Sequence, residues 1–175
     1  MKPLFLILFL QIIGWSVVAQ VNSDPVINPS QQDILSTGSD AYIQQIGTEN
    51  DAEINQRQRL GHQFNQAIIV QQGDHNDARM IQRGKGNVAL LTQTGDGNYY
   101  DLVLSGRNNT VSVLQDGDNN AITQRLSGFV GVNVDFTQIG NDNSIIQDLN
   151  SIREQEFKIT QRGDGLSIQI TTDSY

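Results

Sequence analysis

The chain has 175 residues with a formal charge of −8, no cysteine, three prolines and sixteen glycines. The acidic balance argues against a nucleic-acid binder, because such a protein presents a basic face to phosphate. The lack of cysteine excludes a disulfide framework and a lipid-modified N-terminal cysteine. Some other device must therefore hold the fold together.

Residues 1–19 have the pattern of a secretory signal peptide. Lys2 is their only charged residue, an apolar run covers residues 4–13, and small residues precede a cleavage site before Gln20. The alternative is a membrane anchor, which needs about 20 apolar residues. Because polar residues and a glycine interrupt this run, we interpret the segment as a signal peptide.

The next segment, residues 20–38, contains Pro25 and Pro29 and has little periodic pattern. We interpret it as an extended N-terminal leader outside the core. The remaining segment, residues 39–175, is repetitive, and we predict that it forms a single folded unit.

The repeat has a period of eleven residues. Gln71, Gly73, Asn76 and Ala78 are followed eleven residues later by the same four residue types. An eleven-residue period fits either a right-handed coiled coil or a strand and turn that recur in a solenoid. A helix would carry a glycine in every period at a cost of about 1 kcal/mol each, whereas turns favour glycine and asparagine. The composition therefore predicts a solenoid.

Between the turns, the residues follow the strand period of two. Each predicted strand directs three residues inward, and the first of the three is always apolar. The opposite face is mostly charged or hydroxylated, so we expect it to meet solvent. The inward triplets are Ala41-Ile43-Gln45, Ala52-Ile54-Gln56, Ala67-Ile69-Gln71, Ala78-Met80-Gln82, Ala89-Leu91-Gln93, Tyr100-Leu102-Leu104, Val111-Val113-Gln115, Ile122-Gln124-Leu126, Val134-Phe136-Gln138, Ile145-Gln147-Leu149, Phe157-Ile159-Gln161 and Ile168-Ile170-Thr172.

Three intervals between successive strands are longer than eleven residues, and each follows an even-numbered strand. This parity favours a coil, or rung, of two strands and 22 residues, with insertions confined to one edge. We therefore predict an all-β solenoid of about six rungs whose strands stack into two parallel sheets. The predicted rungs are 39–64, 65–86, 87–108, 109–131, 132–153 and 154–175.

Stacked rungs place like residues above one another, so glutamine and asparagine can form amide ladders like those of cross-β assemblies. No proline lies within the repeats, and we expect both end rungs to be open templates for another copy. The predicted self-assembly ladder is Gln45, Gln56, Gln71, Gln82, Gln93, Gln115, Gln138 and Gln161. The predicted turn residues are Gly47, Asn50, Gly73, Asn76, Gly84, Asn87, Gly95, Asn98, Gly106, Asn109, Gly117, Asn120, Gly140, Asn143 and Gly163.

The spacing S-x5-Q-x-G-x2-N-x-A-x3-Q resembles the curlin repeat of bacterial curli fibre subunits. The residues that carry it are Ser39, Gln45, Gly47, Asn50, Ala52 and Gln56, and a second copy begins with asparagine at residue 65. The resemblance extends over residues 39–172. Departures are a bulky alanine position from Tyr100 onward, leucine at residues 104, 126 and 149, Leu166 at an asparagine position, and an insertion at 57–64 that breaks the register.

The resemblance implies a secreted, amyloid-forming subunit of a Gram-negative cell-surface fibre that supports biofilm and adhesion. It implies as partners further copies of the chain, other curli-type subunits, and an outer-membrane secretion pore with its accessory proteins. The leader would address the chain to that pore. From the residues themselves we predict no cofactor, no metal and no nucleic-acid requirement, and the resemblance leaves open whether the chain is the major subunit or the minor nucleator.

Three other functions compete with this interpretation. An enzyme would need converging acid and base groups, yet His62 and His75 lie in predicted solvated turns. A calcium site would use the acidic turns, but the segment that begins at Asp116 has neither the glycine nor the glutamate of an EF-hand loop. A monomeric extracellular solenoid that binds a surface, ice or glycan would show one outward row of threonine or aromatic residues, and the outward positions are mixed.

Overall fold

The structure of the chain is a computed structural model that describes residues 16–18, 39–58 and 63–172. The predicted leader and most of the predicted signal peptide lie outside the described residues. Within the described part, every regular element is a β-strand. No helix there is long and apolar enough to cross a membrane.

The first strand stands apart from the repeats, and the others alternate between two sheets. The strands are β1 Ser16–Val18, β2 Asp40–Ile46, β3 Asp51–Gln58, β4 Gln66–Gln72, β5 Asp77–Lys85, β6 Val88–Thr94, β7 Tyr99–Arg107, β8 Thr110–Asp116, β9 Ala121–Val130, β10 Asn133–Ile139, β11 Ser144–Asn150, β12 Glu156–Arg162 and β13 Ser167–Thr171.

The twelve repeat strands form two parallel sheets, which confirms the predicted solenoid of about six rungs. Sheet A has the order β1-β3-β5-β7-β9-β11-β13, and sheet B has the order β2-β4-β6-β8-β10-β12. Each rung contributes one strand to each sheet, beginning with β2 and β3 in rung 1 and ending with β12 and β13 in rung 6. Only β1, which lies within the predicted signal peptide, pairs antiparallel, against residues 53–55 of β3.

The pairing register places equivalent repeat positions side by side. Gln45 lies opposite Gln71, and Gln71 lies opposite Gln93. The insertion after β3 does not disturb this register, because Arg57 still pairs with Arg83. The sequence-based view that residues 57–64 break the register is therefore wrong for the strands: the extra length is added after β3.

The rungs close at two edges that differ in length. The regular edge joins each sheet-B strand to the next sheet-A strand with four residues, at 47–50, 73–76, 95–98, 117–120, 140–143 and 163–166. The variable edge joins successive rungs. Its connections after β3 and β11 are longer than the others, and the extra residue of rung 4 lies within β9, at a bulge in the pairing with β7. This agrees with the predicted 22-residue rung and its single insertion-tolerant edge.

The interior is filled by the first and second inward positions of each strand. Small alanines occupy the first position in the early rungs, and larger residues replace them later, including the fully buried Tyr100. The resulting cluster is continuous along the stack. The inward side chains of rung 6 are less buried than those of the other rungs. Those that are only half-buried are Phe157, Ile159, Ile168 and Ile170.

Candidate self-assembly site

One amide column runs the full height of sheet B. Each glutamine donates from Nε2 to Oε1 of the glutamine in the following rung, at donor–acceptor distances of 2.7 to 3.0 Å. All of its members are buried. The column consists of Gln45, Gln71, Gln93, Gln115, Gln138 and Gln161.

The same amides also join the two sheets. From rung 2 onward, each glutamine of sheet B donates its second Nε2 hydrogen to a backbone carbonyl of sheet A in the preceding rung. Gln115, for example, donates to the carbonyl of Tyr99 at 3.1 Å and Gln161 to that of Ser144 at 3.2 Å. An unpaired buried amide costs about 1–3 kcal/mol. The glutamines are therefore tolerated in the interior because the repeat supplies partners in two directions.

Sheet A has a shorter glutamine column. Gln56 donates to Gln82 at 2.8 Å, and both also donate across the rung to carbonyls of sheet B. Leucine takes this position in the next three rungs, so the column stops at Gln82. The predicted glutamine set is thus divided between two columns of unequal length.

A further buried chain of hydrogen bonds, which sequence reasoning missed, crosses rungs 3 to 5. The Tyr100 hydroxyl donates to Gln124 Oε1 at 2.8 Å, and Gln124 Nε2 donates to Gln147 Oε1 at 3.0 Å. Burial, with a smaller contribution from Asp101, raises the pKa of Tyr100 well above its usual value, so the hydroxyl remains a donor. Gln147 Nε2 is buried without a partner, because the next residue in its column is Ile170. In the sequence, the sign of this chain was that the glutamines of β9 and β11 stand at the second inward position of the strand and not at the third.

The motif asparagines form two more columns, one at each edge. At the regular edge, Asn76 donates from both its backbone N–H and Nδ2 to Asn50 Oδ1, at 2.9 and 3.1 Å. Its Nδ2 also donates to the carbonyl of Gly95 in the following rung at 2.8 Å. The regular-edge column contains Asn50, Asn76, Asn98, Asn120 and Asn143, and the variable-edge column contains Asn65, Asn87 and Asn109.

The regular-edge asparagines do not themselves take the positive φ of the turn. The residue before each of them adopts that conformation, as Glu49 (φ 54°) does before Asn50 and His75 (φ 58°) before Asn76. The asparagines themselves are buried and point along the stack. Sequence reasoning found the residues, but their side chains serve as hydrogen-bond partners between rungs.

The glycine that opens each regular-edge turn allows close stacking. Gly47, Gly73, Gly95, Gly117, Gly140 and Gly163 have φ between 103° and 124°. A Cβ on any of the first five would overlap the carbonyl of the equivalent glycine in the next rung. Near the variable edge, Gly84 within β5 and Gly106 within β7 are packed in the same way, against the carbonyls of Gly106 and Phe129.

An exposed row of acidic and amide side chains follows the regular edge. The Asp74 carboxylate accepts from the Thr48 N–H at 2.8 Å, which lowers the pKa of Asp74. The same bond is repeated between each later pair of rungs. In the sequence, it is indicated by the Asp or Asn that follows the turn glycine. The acceptors are Asp74, Asp96, Asp118, Asn141 and Asp164.

The glutamine column of sheet B is unfinished at both ends. In rung 1, Gln45 is 4% exposed, and its Oε1 is buried with no hydrogen-bond partner. In rung 6, Gln161 accepts from Gln138, and among the described residues no further rung receives its second Nε2 hydrogen. The first rung therefore presents an acceptor and the last rung a donor, at equivalent positions of the repeat.

The alternative sites considered from the sequence do not assemble in the described residues. His75 lies on the regular edge, where its Nε2 contacts Glu49 at 2.7 Å and both side chains are exposed. Exposed pairs of this kind contribute little to stability. No group of three or more metal-ligating side chains converges in the part of the chain that the structure describes, and His62 lies outside it.

Comparison with protein families gives one match. Residues 76–102 match the model of the curlin associated repeat. The matched residues run from the regular edge of rung 2, through β5 and β6, into β7, and they contain members of every column described above. Over this stretch the chain carries a curlin-type repeat. Together with the solenoid fold, this repeat supports a curli-like structural protein. No curated protein and no solved structure matches the chain.

Proposed function

We propose that this curlin-repeat protein is a secreted structural subunit of an extracellular functional amyloid fibre, in which copies stack edge to edge along the solenoid axis. The observation that carries the proposal is the open glutamine column, with a buried unpaired acceptor at Gln45 and an available donor at Gln161. A buried acceptor without a partner is destabilising. Stacking of a second copy supplies the missing donor.

The geometry of such a junction follows from the repeat inside the chain. Rung 6 of one copy meets rung 1 of the next, so β12 pairs with β2 and β13 pairs with β3. Gln161 then donates to Gln45 as Gln138 donates to Gln161 within the chain. The end strands have no covering element other than β1 among the described residues. Since β1 lies in the predicted signal peptide, its cleavage removes that cover.

Export and location belong to the same proposal. The predicted signal peptide, residues 1–19, directs the chain out of the cytoplasm, and the leader, residues 20–38, addresses it to an outer-membrane pore. The fibre then forms at the surface of a Gram-negative cell and supports biofilm and adhesion. The proposal includes no catalysis and no cofactor, since the buried polar groups of the described rungs serve the stack.

The test is fibre formation by purified residues 20–175 across a range of concentrations, with and without preformed fibres. We expect thioflavin-T-positive fibres whose onset shortens with concentration and with seeding. Fibre diffraction should show reflections near about 4.7 Å and about 10 Å, the strand and sheet spacings. A β-rich monomer that stays soluble for days at every concentration would overturn the proposal.

A pair of glycine variants tests the stacking mode itself. A Cβ added at Gly163 would meet only Leu166 within one chain. In a stack it would overlap the next copy, as a Cβ added at Gly140 would overlap the carbonyl of Gly163. The Gly163→Ala variant should therefore fold, with strain confined to rung 6, and its fibres should elongate poorly. Gly165→Ala is the control, because its φ of 68° is milder and it has nothing within 4 Å. Equal elongation by the two variants would contradict edge-to-edge stacking.

The competing proposal, a monomeric surface-binding solenoid, finds less support in the register. The outward column richest in threonine contains Thr92, Leu114, Thr137 and Thr160, so a leucine interrupts it. Its first members are Gln44 and Val70. A surface-binding face needs a continuous row, and this column is not one.

A further inference from the structure

The regular-edge asparagine column makes a fixed set of bonds between successive rungs. The Oδ1 of the earlier asparagine accepts from the backbone N–H and the Nδ2 of the later one. Asn98, for example, receives bonds of 3.0 and 3.1 Å from Asn120. The Nδ2 of the earlier residue donates to the turn glycine of the later rung, as Asn98 does to Gly117 at 2.8 Å. A complete junction therefore contains three side-chain hydrogen bonds at this position.

Rung 6 breaks the column because Leu166 occupies the asparagine position. The Leu166 N–H still binds Asn143 Oδ1 at 3.1 Å, so the backbone of the turn is placed as in the other rungs. The side chain, however, has no amide and is 40% exposed. Among the described regular-edge turns, this is the single one that ends without asparagine.

The consequence falls on the junction between copies. Asn50 in rung 1 is 4% exposed and already donates from Nδ2 to the carbonyl of Gly73. Stacked on Leu166 of another copy, its backbone N–H and Nδ2 would meet a methyl group where the other rungs present Oδ1. Gly47 would likewise receive no amide donor. Within the solenoid core, the sheet-B glutamine column continues across such a junction while the asparagine column stops.

A second mismatch lies on the exposed side of the same turn. Within the chain, each turn N–H donates to the Asp or Asn of the following rung, as Asn141 does to Asp164 at 2.7 Å. In a stack, the backbone N–H of Asp164 would face residue 48, which is threonine. Thr48 offers a hydroxyl oxygen on a shorter side chain in place of a carboxylate or amide oxygen, so the bond of the other rungs is not reproduced. The first and last rungs of the chain are therefore imperfectly complementary to one another.

We propose that the first rung of this solenoid pairs best with a last rung that has asparagine at the position of Leu166. A different curlin-repeat chain that ends in such a complete repeat therefore binds there more tightly than another copy of this chain does. The inference rests on the proposed stacking function and names its preferred partner. Leu166 acts as a specificity-determining residue that weakens self-association without preventing it.

The test is the critical concentration of fibre formation, measured as protein left soluble at plateau, for the purified protein and three variants. Leu166→Asn supplies the missing amide and stands in for the partner's last rung. We expect it to lower the critical concentration by roughly tenfold or more, since three hydrogen bonds are gained at each junction. Leu166→Ala removes the leucine without adding an amide and should give no comparable decrease.

The matched control is Leu114→Asn. Leu114 is 37% exposed, close to the value for Leu166, but it lies on the outward face of β8, away from both end rungs. Its substitution should leave the critical concentration unchanged within about twofold. Thr48→Asp added to Leu166→Asn should lower the critical concentration slightly further, because the bond it restores is exposed.

The outcomes separate the inference from the proposed function. A decrease with Leu166→Asn alone supports the inference, and fibres from Leu166→Asn but not from the wild-type chain support it most strongly. Fibres with the same critical concentration for wild type and Leu166→Asn overturn the inference and leave the stacking function standing. Absence of fibres from every protein overturns both.

Discussion

The two edges of the solenoid close the same rungs by different means. At the regular edge, every turn has four residues, and glycine, asparagine and acidic columns run along the stack. At the variable edge, the asparagine column ends at Asn109, and the next connection is closed by the buried apolar residues Phe129 and Val132. All six regular-edge turns have the same length, and the longer connections lie at the edge with the shorter asparagine column.

The largest expected difference between the edges concerns turn glycines. Gly117→Ala should destabilise the fold by more than about 3 kcal/mol, because its Cβ would overlap the Gly140 carbonyl at a φ of 121°. Gly131→Ala is the matched change at the variable edge, with a φ of 65° and its nearest neighbour at 3.6 Å. It should cost about 1–2 kcal/mol. Urea denaturation of the monomer measures both, and equal losses would contradict the role assigned to close stacking.

An intermediate effect is expected from the asparagine columns. Asn98→Leu copies the residue of rung 6 into rung 3 and removes an acceptor shared by two groups of Asn120. We expect a loss of about 3 kcal/mol, from buried groups left unpaired. Asn109→Leu, at the end of the variable-edge column, removes the acceptor of only one later N–H, that of Val132.

The second substitution should therefore cost about half as much as the first, since the surroundings of Asn109 are already partly apolar. Thermal denaturation at a concentration below fibre formation compares the two variants. If Asn109→Leu were the more damaging change, the distinction between the two edges would be wrong.

The smallest effect concerns charge beside the regular edge. Asp77 lies directly opposite Asp51 in the parallel pair β3–β5. Desolvation, then the charges of Asp51 and Asp101, raise the pKa of Asp77 above its usual value. A carboxyl whose folded pKa is raised destabilises the fold when ionised. This cost is complete above the folded pKa and disappears as the pH falls to the unfolded value near 3.8.

Asp77→Asn should therefore raise the melting temperature slightly at pH 7, and the gain should shrink with added salt and as the pH falls toward 4. Ser144→Asn, at the start of β11 in the same sheet, is a control without the charge change. A gain that persists unchanged at pH 4 would show that charge is not its cause.

Much of the architecture followed from spacing. The eleven-residue period, with glycine and asparagine at fixed positions, excluded a helix, and the parity of the three long intervals placed every insertion on one edge. The pairing of Gln45, Gln71 and Gln93 follows directly, because in-register parallel rungs bring equal repeat positions together. These features depend on the order of residues along the chain and on the strand period, both of which are visible in the sequence.

Other features required the folded arrangement. The sequence alone did not show which residue of each turn takes the positive φ, because Asn and its predecessor are both compatible with turns and only burial distinguishes them. The Tyr100–Gln124–Gln147 chain links residues of three rungs at different repeat positions, so no single period reveals it. The acidic row at the regular edge looked like ordinary turn chemistry until its carboxylates were found to accept from the preceding rung.

The sequence by itself determined the repeat length, the inward positions and the turn positions of this protein, since these depend on local periodicity and on the conformations that glycine permits. The tertiary structure alone decided which polar atoms are satisfied, because a hydrogen bond between rungs joins residues 22 to 26 positions apart. It also decided where the hydrogen-bonded columns end, at Gln45 in the first rung and at Leu166 in the last. An end of a stack is defined by the absence of a neighbour, which is a property of the folded chain.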